Sequence, residues 1–542
     1  MRNAYVWLAV GSISCVSLGC SDDPSAGTPV PDPDAGTVDG AASVDGAVDG
    51  GPTTDPVVRP LWPPSGSTVS GHQPVLRWKL EGAADGARVE FCKERSCTNV
   101  IATLDAKGDH SVPTPKDLPA GRVYWRLHGT QGATVATKMS ATWEMMIPAH
   151  PSAAVQSAYG TGRDYNGDGF DDVVFVNGPD LEVHVGGATG PSASGVKLAY
   201  PWSFGDWATV SLAIVPAGDV NGDGYSDLLL SSNVVGAAIF YGSPSGLAAS
   251  PPTLLTETKV FQYGQSASPA GDVDGDGYAD VVVGSNDVGI QTVAVFVYGG
   301  SAAGIGKVPV AKLFEPAPPE CQVSCGSAGF GGRVAGACDV NGDGRPDLLV
   351  SGRRGVFEFH GGTTGFQAIP AIPKINASDF PCALDINGDG MTDVATSDNA
   401  AVAKNAIFVY HGRAGGLDAT DVVQATTPTL ATGVSAPIVG LVGDVDGDGL
   451  DDVGVRAYST NAYSGLRGFV FGGTTTAFGS PILAIPTLAT YELTAAGDVN
   501  GDARADLLAT LNDACGTRLY AGGKPVSTTA IIGWNASGKC LP

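Results

Sequence analysis

The stretch GDVNGDGYSDLLL, residues 218–230, places four acidic or amide side chains within nine residues and then runs into three leucines. Counted from its first aspartate, oxygen-bearing side chains occupy positions 1, 3, 5 and 9, while position 6 is glycine. Alternate side chains around a tight turn converge on one point, where such groups would repel one another unless a hard cation lay between them. The pattern therefore predicts a calcium-binding loop followed by a buried strand.

The same nine-residue pattern occurs seven times, at intervals of 46 to 67 residues. In chain order, loops 1 to 7 are DYNGDGFDD (164–172), DVNGDGYSD (219–227), DVDGDGYAD (272–280), DVNGDGRPD (339–347), DINGDGMTD (385–393), DVDGDGLDD (444–452) and DVNGDARAD (498–506). An apolar strand follows each copy, and most copies have a later aromatic run that ends in glycine, such as VFVYGG at 295–300. About four strands per unit are indicated, and seven such units predict an all-β, seven-bladed β-propeller over residues 151–542.

Two segments at the N-terminus are predicted to export and tether the chain. Residues 1–20 have a basic start, an apolar run and a final cysteine, which resembles a bacterial lipoprotein signal peptide with lipidation at Cys20. A plain secretory signal or an uncleaved anchor is the alternative, since serine rather than leucine stands three residues before the cysteine. Residues 21–57 contain no aromatic or basic residue, which predicts a disordered tether rich in Asp, Pro, Gly and Ala.

Residues 58–148 differ in pattern from both the tether and the repeats. Alternating apolar runs punctuated by turn residues predict a small β-sandwich. The pattern resembles a fibronectin type III or immunoglobulin-like module. Trp78, Trp125 and Trp143 are expected in its core rather than on a ligand-binding surface.

Net charge and cysteine content limit which partners and which cellular compartment are expected. The net charge of −25 argues against nucleic acid, whose phosphates would be repelled. No later segment is apolar for long enough to cross a bilayer, so membrane attachment is expected through the N-terminal lipid only. The cysteines after residue 20 predict disulfides, with Cys92–Cys97 and Cys321–Cys325 favoured by proximity and Cys338–Cys382 and Cys515–Cys540 as further pairs. We expect an exported protein, either an outer-membrane or cell-surface lipoprotein or a secreted one.

The repeats resemble the FG-GAP (VCBS) repeats of integrin alpha-subunit propellers and of bacterial surface proteins. The stretch FGGRVAGACDVNGDGRPDLLV, residues 330–350, carries the Phe-Gly pair, the Gly-Ala step before the loop, and the loop itself. Phe204 and Gly205 form the same pair ahead of loop 2. The resemblance implies that each loop joins the first and second strands of a blade and wraps one calcium ion.

The resemblance also implies which groups bind the ions. Side chains at positions 1, 3, 5 and 9 and the backbone carbonyl at position 7 would coordinate each ion. Loop by loop these residues are Asp164, Asn166, Asp168, Phe170, Asp172; Asp219, Asn221, Asp223, Tyr225, Asp227; Asp272, Asp274, Asp276, Tyr278, Asp280; Asp339, Asn341, Asp343, Arg345, Asp347; Asp385, Asn387, Asp389, Met391, Asp393; Asp444, Asp446, Asp448, Leu450, Asp452; and Asp498, Asn500, Asp502, Arg504, Asp506. About six to seven Ca²⁺ ions are expected. Loop 7 should hold the weakest site or none, because Ala503 replaces the position-6 glycine and resists a positive φ.

Two other interpretations of the loops fit less well. An EF-hand requires a bidentate glutamate at position 12 and flanking helices, whereas position 12 here is apolar, as in Phe175, Leu230 and Val283. Metal-free Asp-Asn-Gly turns would explain the turn residues. No turn, however, requires the aspartate that occupies position 9 of every copy.

The sequence gives no catalytic motif, and His360 and His411 fall at a repeat position that favours packing. Trp202 and Trp207 are candidate ligand-binding side chains, although the Phe-Gly pair between them is expected in the core. The leading prediction is a noncatalytic, monomeric surface lipoprotein whose propeller binds an extracellular protein or glycan in adhesion. A propeller-based extracellular hydrolase or lyase and a purely structural envelope scaffold are the alternatives.

Overall fold

A computed structural model shows that the regular structure of the described residues consists of 36 β-strands. The described residues are 56–111, 117–149, 157–177, 180–202, 212–247, 251–257, 260, 262–285, 294–316, 329–352, 355–362, 365–368, 380–382, 384–397, 406–418, 422–426, 434–459, 467–475, 478–485, 490–511, 516–535 and 538–541. The predicted signal peptide with Cys20, nearly all of the tether, Trp207 and the Phe-Gly pair at 204–205 lie outside them. Among these residues, no helix has the length and apolar character needed to cross a membrane.

Residues 56–147, which we call the N-terminal region, form two sheets. Their strands, with a ninth just beyond, are β1 (Pro56–Trp62), β2 (Ser67–Val69), β3 (Arg77–Gly82), β4 (Gly86–Cys92), β5 (Val100–Lys107), β6 (Gly121–Gln131), β7 (Thr134–Met139), β8 (Trp143–Ile147) and β9 (Ala158–Tyr159). Strands β1 and β3 pair with each other, and the others form a seven-stranded sheet in the order β5-β4-β6-β8-β2-β9, with β7 on β6. One buried cluster joins the two sheets and contains all three tryptophans predicted to lie in the core.

Seven antiparallel sheets follow, and we number them after the loop that each contains or follows. Sheet 1 comprises β10 (Val173–Asn177), β11 (Asp180–His184) and β12 (Val196–Ala199); sheet 2, β13 (Leu212–Gly218), β14 (Asp227–Ser232), β15 (Gly236–Phe240) and β16 (Thr253–Leu255); sheet 3, β17 (Ser266–Gly271), β18 (Asp280–Gly284), β19 (Val295–Tyr298) and β20 (Ala311–Leu313). Sheet 4 comprises β21 (Val334–Cys338), β22 (Asp347–Gly352), β23 (Gly355–His360) and β24 (Gln367–Ala368); sheet 5, β25 (Val394–Ser397), β26 (Ala406–Tyr410) and β27 (Val422–Thr426). Sheet 6 comprises β28 (Val434–Gly443), β29 (Asp452–Ser459), β30 (Arg467–Phe471) and β31 (Leu483–Ala484); sheet 7, β32 (Thr490–Gly497), β33 (Asp506–Leu511), β34 (Thr517–Tyr520), β35 (Ile532–Asn535) and β36 (Gly538–Leu541).

Sheets 2 to 7 are six blades of a β-propeller. In each of them the segment before the loop pairs with the strand after it, although in sheet 5 this pairing is reduced to the bridge between Leu384 and Asp393. Sheet 1 differs, because the segment ahead of its loop, β9, pairs with β2 of the N-terminal region. The predicted count of seven blades therefore depends on counting sheet 1, which has no complete inner strand among the described residues.

The core of the propeller lies between neighbouring sheets. The leucines that follow loop 2, Leu228 to Leu230, are fully buried, and Leu229 packs with Val281 and Val283 of sheet 3. Sheet 1 contacts sheets on both sides: Leu181 packs in a cluster with sheet 2, while Phe175 packs in a cluster with sheet 7. Apolar strands that are buried on both faces account for the near-continuous Val, Ile and Leu runs in the sequence.

Two of the four predicted disulfides are present. Cys92–Cys97 closes the turn after β4, and Cys338–Cys382 links the end of β21 to the segment before loop 5. The residues of the other two predicted pairs lie wholly or partly outside the described residues.

Candidate metal-binding loops

In sheets 2, 3, 4, 6 and 7 each loop leads from the first strand into the second, whereas loops 1 and 5 lead into the first strand of their three-stranded sheets. In loop 2, position 1 follows directly after β13, and the position-9 residue, Asp227, begins β14. The glycines at positions 4 and 6 have positive φ, as at Gly222 and Gly224, which is the backbone conformation that favours glycine. The repeated sequence therefore produces the same turn in all seven loops.

The position-1 aspartate holds the loop closed by accepting backbone N–H groups. In loop 2, Oδ1 of Asp219 accepts the N–H groups of Gly222 at 2.7 Å and Asp223 at 3.1 Å, and Oδ2 accepts that of Gly224 at 2.7 Å. Bonds from positions 5 and 6 recur in all seven loops. The position-5 carboxylate likewise accepts the N–H of position 7 in every loop.

The position-9 aspartate has a structural role that the sequence analysis missed. In loop 2, Asp227 accepts the N–H of Val220 at 2.9 Å and that of Gly242, after the third strand, at 2.8 Å. All seven loops repeat this pair of bonds. Contrary to the expectation that no turn requires it, the position-9 aspartate serves the turn itself, because it satisfies two backbone donors. The glycine that ends each aromatic run is the signal that could have revealed the contact.

Neighbouring loops are connected to one another. The position-8 N–H of loop 3, at Ala279, donates to the position-1 carbonyl of loop 2, at Asp219, over 2.9 Å. The same bond joins each loop to the preceding one except at loop 4, where position 8 is Pro346 and lacks an N–H. Loop 1 donates to loop 7, from Asp171 to Asp498 at 2.9 Å, so the succession of loops closes on itself.

The residue at position 7 covers the preceding loop with its side chain. A Cβ added to Gly222, at position 4 of loop 2, would lie 2.6 Å from the ring of Tyr278, at position 7 of loop 3. Phe170, Tyr225 and Leu450 cover the glycines of their preceding loops in the same way. In these loops a larger residue at position 4 is therefore disfavoured by lack of space as well as by the positive φ, whereas Gly275 of loop 3 is constrained by its φ alone. This contact is invisible in any single copy of the motif.

Burial and mutual repulsion raise the pKa values of the loop carboxyls. Burial, with a smaller contribution from Asp276, raises the pKa of Asp272 to about 7. Burial, with the nearby carboxylates of Asp393, Asp451 and Asp389, raises that of Asp385 to about 8. Burial also raises the pKa of Asp452 to about 8. A cation among these oxygens would stabilise their charged forms.

The donor set fits a hard divalent cation best in loops 3 and 6. There three carboxylates bring oxygens within 4.8 Å of one another: Asp272, Asp274 and Asp276 in loop 3, and Asp444, Asp446 and Asp452 in loop 6. These are the two loops with aspartate at position 3. In loops 1, 2, 4 and 5 the position-3 asparagine instead donates its amide to the position-5 carboxylate over 2.9 to 3.2 Å. Clustered carboxylate oxygens are the ligands that calcium prefers.

Loop 7 keeps the shared frame despite its alanine. Ala503 has φ +64° and donates its N–H to Asp498 over 2.8 Å, as glycine does elsewhere. A left-handed conformation costs a non-glycine residue about 1–2 kcal/mol. Asn500 differs from its counterparts, because its amide faces Asp506 at 3.5 Å, and Arg504 pairs with Asp502 at 3.6 Å. The weak or absent metal site expected in loop 7 remains a prediction.

The N-terminal region lies against loops 1 to 3 through arginines. Arg95 donates to the carbonyls of Gly167 and Gly224, and its guanidinium lies 4.6 Å from the ring centroid of Tyr225. Arg59 donates to the carbonyl of Asp276 and lies over Tyr278 at 4.8 Å. No sequence motif marks these arginines, since each lies more than 70 residues from the loop it contacts.

A cavity of about 550 Å³ lies between the inner strands and the N-terminal region. Val174 and Val176 of β10 line it together with Ala213 and Ala335 of the inner strands and Met145 of β8. Its position follows from the topology, because the chain before loop 1 pairs with β2 and leaves β10 without an inner neighbour among the described residues.

The other side chains named from the sequence are not brought together. Trp202 is half-buried and packs on the cluster between sheets 1 and 2. His360 pairs with Glu358 at 3.1 Å. His411 lies closer to a loop than expected, with Nδ1 3.2 Å from Oδ1 of Asp393.

Comparison with known proteins agrees with this geometry. Residues 219–283, 272–350 and 339–396 match the FG-GAP-like repeat. The human integrin alpha-IIb is 35% identical over 150 residues, which are 24% of this chain and 14% of the integrin. The chicken integrin alpha-V is 28% identical over 243 residues, 41% of this chain and 21% of the integrin. The chain thus spans only a small part of the integrins' length. Together, the repeats, these partial similarities and the fold support an integrin-like FG-GAP β-propeller.

Proposed function

We propose that the protein is a noncatalytic, calcium-binding adhesion protein of the cell surface, whose propeller binds an extracellular protein or glycan. One observation carries the proposal: seven loops share one hydrogen-bonded frame that gathers carboxylates at the end of an integrin-like FG-GAP propeller. A propeller of this kind offers a rigid platform for binding, because its loops are fixed by sheets and by one another.

We infer that the propeller has seven blades, with sheet 1 as the incomplete one. Sheet 1 packs between sheets 7 and 2, and loop 1 donates to loop 7 as every other loop with a position-8 N–H donates to its predecessor. In this interpretation the inner strand of the first blade has been diverted to the N-terminal region. The domain limits then remain those expected from the sequence, with a β-sandwich at 58–148 and the propeller at 151–542.

Calcium in this proposal is structural. The carboxylates of each loop lie where the chain turns between the first two strands of a blade, so an ion there would fix the turn rather than react. Loops 3 and 6 are the strongest candidate sites, because three carboxylates converge in each. Extracellular modules of this type bind calcium at about 0.1–1 mM, so the sites would fill when calcium rises above that range.

The proposed location is the outer surface of the cell. The lipoprotein-type signal would attach a lipid at Cys20, the tether would hold the folded part away from the membrane, and the N-terminal region would act as a spacer. The two disulfides support an oxidising compartment. We propose a monomer that meets its partner through the propeller.

A binding screen tests the proposal. The full chain, immobilised, is exposed to arrays of glycans and of extracellular proteins, with calcium and then with excess chelator. We expect at least one saturable partner whose binding weakens when calcium is removed. The double variant Asp274→Asn and Asp446→Asn, which changes only the two acidic position-3 residues, should need more calcium for the same binding. Turnover of a polysaccharide or ester substrate, with no saturable partner, would contradict the proposal.

A further inference from the structure

Arg122, on β6 of the N-terminal region, forms a buried charge cluster with loop 1. Its guanidinium is 2.7 Å from Oε1 of Glu144, 2.8 Å from Oδ1 of Asp171 and 3.4 Å from Oδ2 of Asp164. The side chains of all four residues are at most 10% exposed. One guanidinium therefore forms ion pairs with three carboxylates in a site that is almost inaccessible to water.

Two of these carboxylates belong to loop 1. Asp164 is its position 1 and Asp171 its position 8. Among the described residues, loop 1 is the only loop whose position-1 carboxylate forms an ion pair with a basic side chain. The other loop with an acidic position 8, loop 6, has Asp451, which bonds the hydroxyl of Tyr159 rather than a cation. Loop 6 also meets a basic side chain, but there the exposed Lys524 approaches the position-3 and position-5 carboxylates, Asp446 and Asp448, at 3.3 and 4.0 Å. Loop 1 thus differs from its copies in the buried arginine packed on its position-1 carboxylate, not in its own sequence pattern.

A second arginine completes the cluster. Nη2 of Arg95 lies 2.9 Å from Oε2 of Glu144, so both oxygens of this glutamate are paired. Arg95 also donates through Nε to the carbonyl of Gly167 at 3.2 Å, within loop 1 itself. A buried charge is tolerated when it is paired and hydrogen-bonded, and this cluster meets both conditions.

We infer that loop 1 binds no metal ion, because the guanidinium of Arg122 supplies the positive charge that the other loops take from a cation. The inference rests on the proposed metal binding by those loops. A divalent ion coordinated by Asp164 would lie next to a buried guanidinium, and like charges in a site of low dielectric repel strongly. Docking of the N-terminal region and filling of loop 1 by metal are therefore mutually exclusive.

The first test counts calcium bound to the full chain when loop 1 itself is changed. Asp164→Asn should leave the number of bound ions unchanged, since no ion is bound there. The matched variant Asp272→Asn, at position 1 of loop 3, should lose one ion per chain. Loss of one ion from both variants would overturn the inference while leaving the proposed metal binding intact. No bound calcium in the unaltered chain would overturn the proposed metal binding and the inference with it.

The second test removes the guanidinium. Arg122→Gln should gain one bound calcium per chain, because the carboxylates of loop 1 lose their counter-charge. Arg126→Gln is the matched control on the same strand, where the guanidinium pairs with Glu90 at 2.8 Å instead of with a loop, and its ion count should not change. An unchanged count in a folded Arg122→Gln protein would overturn the inference. Should that variant not fold, the result for Asp164→Asn decides alone.

Discussion

Loop 1 and loop 3 share one hydrogen-bonded frame but lie in opposite electrostatic surroundings. In both, the position-1 aspartate accepts the N–H groups of positions 5 and 6, and the position-9 aspartate accepts two more. In loop 1 the buried guanidinium of Arg122 faces the position-1 carboxylate. In loop 3 three carboxylates converge, and the nearby Arg59 bonds a backbone carbonyl instead. The local motif determines the turn, whereas the contacts made across the molecule determine its charge balance.

The shared frame should fail equally in both loops when position 9 is removed. Asp172→Ala and Asp280→Ala each leave two backbone N–H groups without their acceptor. We expect the free energy of unfolding to fall by about 2–6 kcal/mol in each, from the cost of unsatisfied buried donors. Denaturant unfolding in the presence of chelator measures this without any contribution from metal. Losses no larger than that of Asn166→Ala, at an exposed position 3, would contradict the role assigned to position 9.

Alanine substitution at position 4 should destabilise loop 1 more than loop 3. Gly167 and Gly275 both have positive φ, but a Cβ on Gly167 would lie 2.5 Å from the Tyr225 ring and from Nε of Arg95, while one on Gly275 would meet nothing within 4 Å. Gly275→Ala should cost about 1–2 kcal/mol from backbone strain alone. Gly167→Ala should cost about 1–3 kcal/mol more, since the side chains above it must move. Equal losses in thermal or denaturant unfolding would show that the covering side chains adapt freely.

Exchanging the position-3 residues tests the electrostatic difference between loop 1 and loop 3. Asp274→Asn gives loop 3 the asparagine of loop 1, and we expect about tenfold weaker calcium binding at that site because one carboxylate ligand is lost. Asn166→Asp gives loop 1 the acidic pattern of loop 3. Because Arg122 remains in place, this variant should not gain an ion. Calcium titration of the two variants checks both expectations. An extra ion bound by Asn166→Asp would contradict the claim that Arg122 takes the place of a cation in loop 1.

The smallest effect is expected in loop 7. Ala503→Gly relieves a left-handed alanine and should stabilise the protein by about 1 kcal/mol. Ala505→Gly, at position 8 of the same loop and without positive φ, is the control and should destabilise it by about 0.5–1 kcal/mol. Thermal unfolding in chelator compares the two. A loss of stability in Ala503→Gly would mean that the loop is not strained.

Local features of the molecule could be predicted from the sequence, and long-range ones could not. The loops, the strands that follow them, the buried Leu228 to Leu230 and the Cys92–Cys97 disulfide all follow from spacing and hydrophobic pattern. The pair of hydrogen bonds accepted by the position-9 aspartate was missed because the second donor lies far along the chain. In loop 2 this donor, the N–H of Gly242, is 15 residues beyond Asp227. The pairing of β9 with β2 was missed because nothing in a short strand specifies a partner so far away.

The arginines on the loops show the same limit at the candidate site. Arg122 lies 42 residues before Asp164 and belongs to a strand whose alternating pattern indicates only a half-buried sheet. Its contact with loop 1 depends on how the N-terminal region packs on the propeller, which hydrophobic periodicity does not encode. A buried arginine on a strand is nevertheless a useful signal, because it requires carboxylate partners that must be found elsewhere in the sequence.

Thermal unfolding of the full chain with calcium and with excess chelator, together with a count of bound metal, decides whether calcium stabilises the propeller through its loops. We predict about five bound ions, or about six if loop 7 also binds one, and a marked rise in the unfolding temperature with calcium, since tenfold saturation of a single site adds about 1.4 kcal/mol. The absence of both bound metal and any shift would contradict this prediction. The loop aspartates would then serve only as hydrogen-bond acceptors that hold the turns of a metal-free propeller.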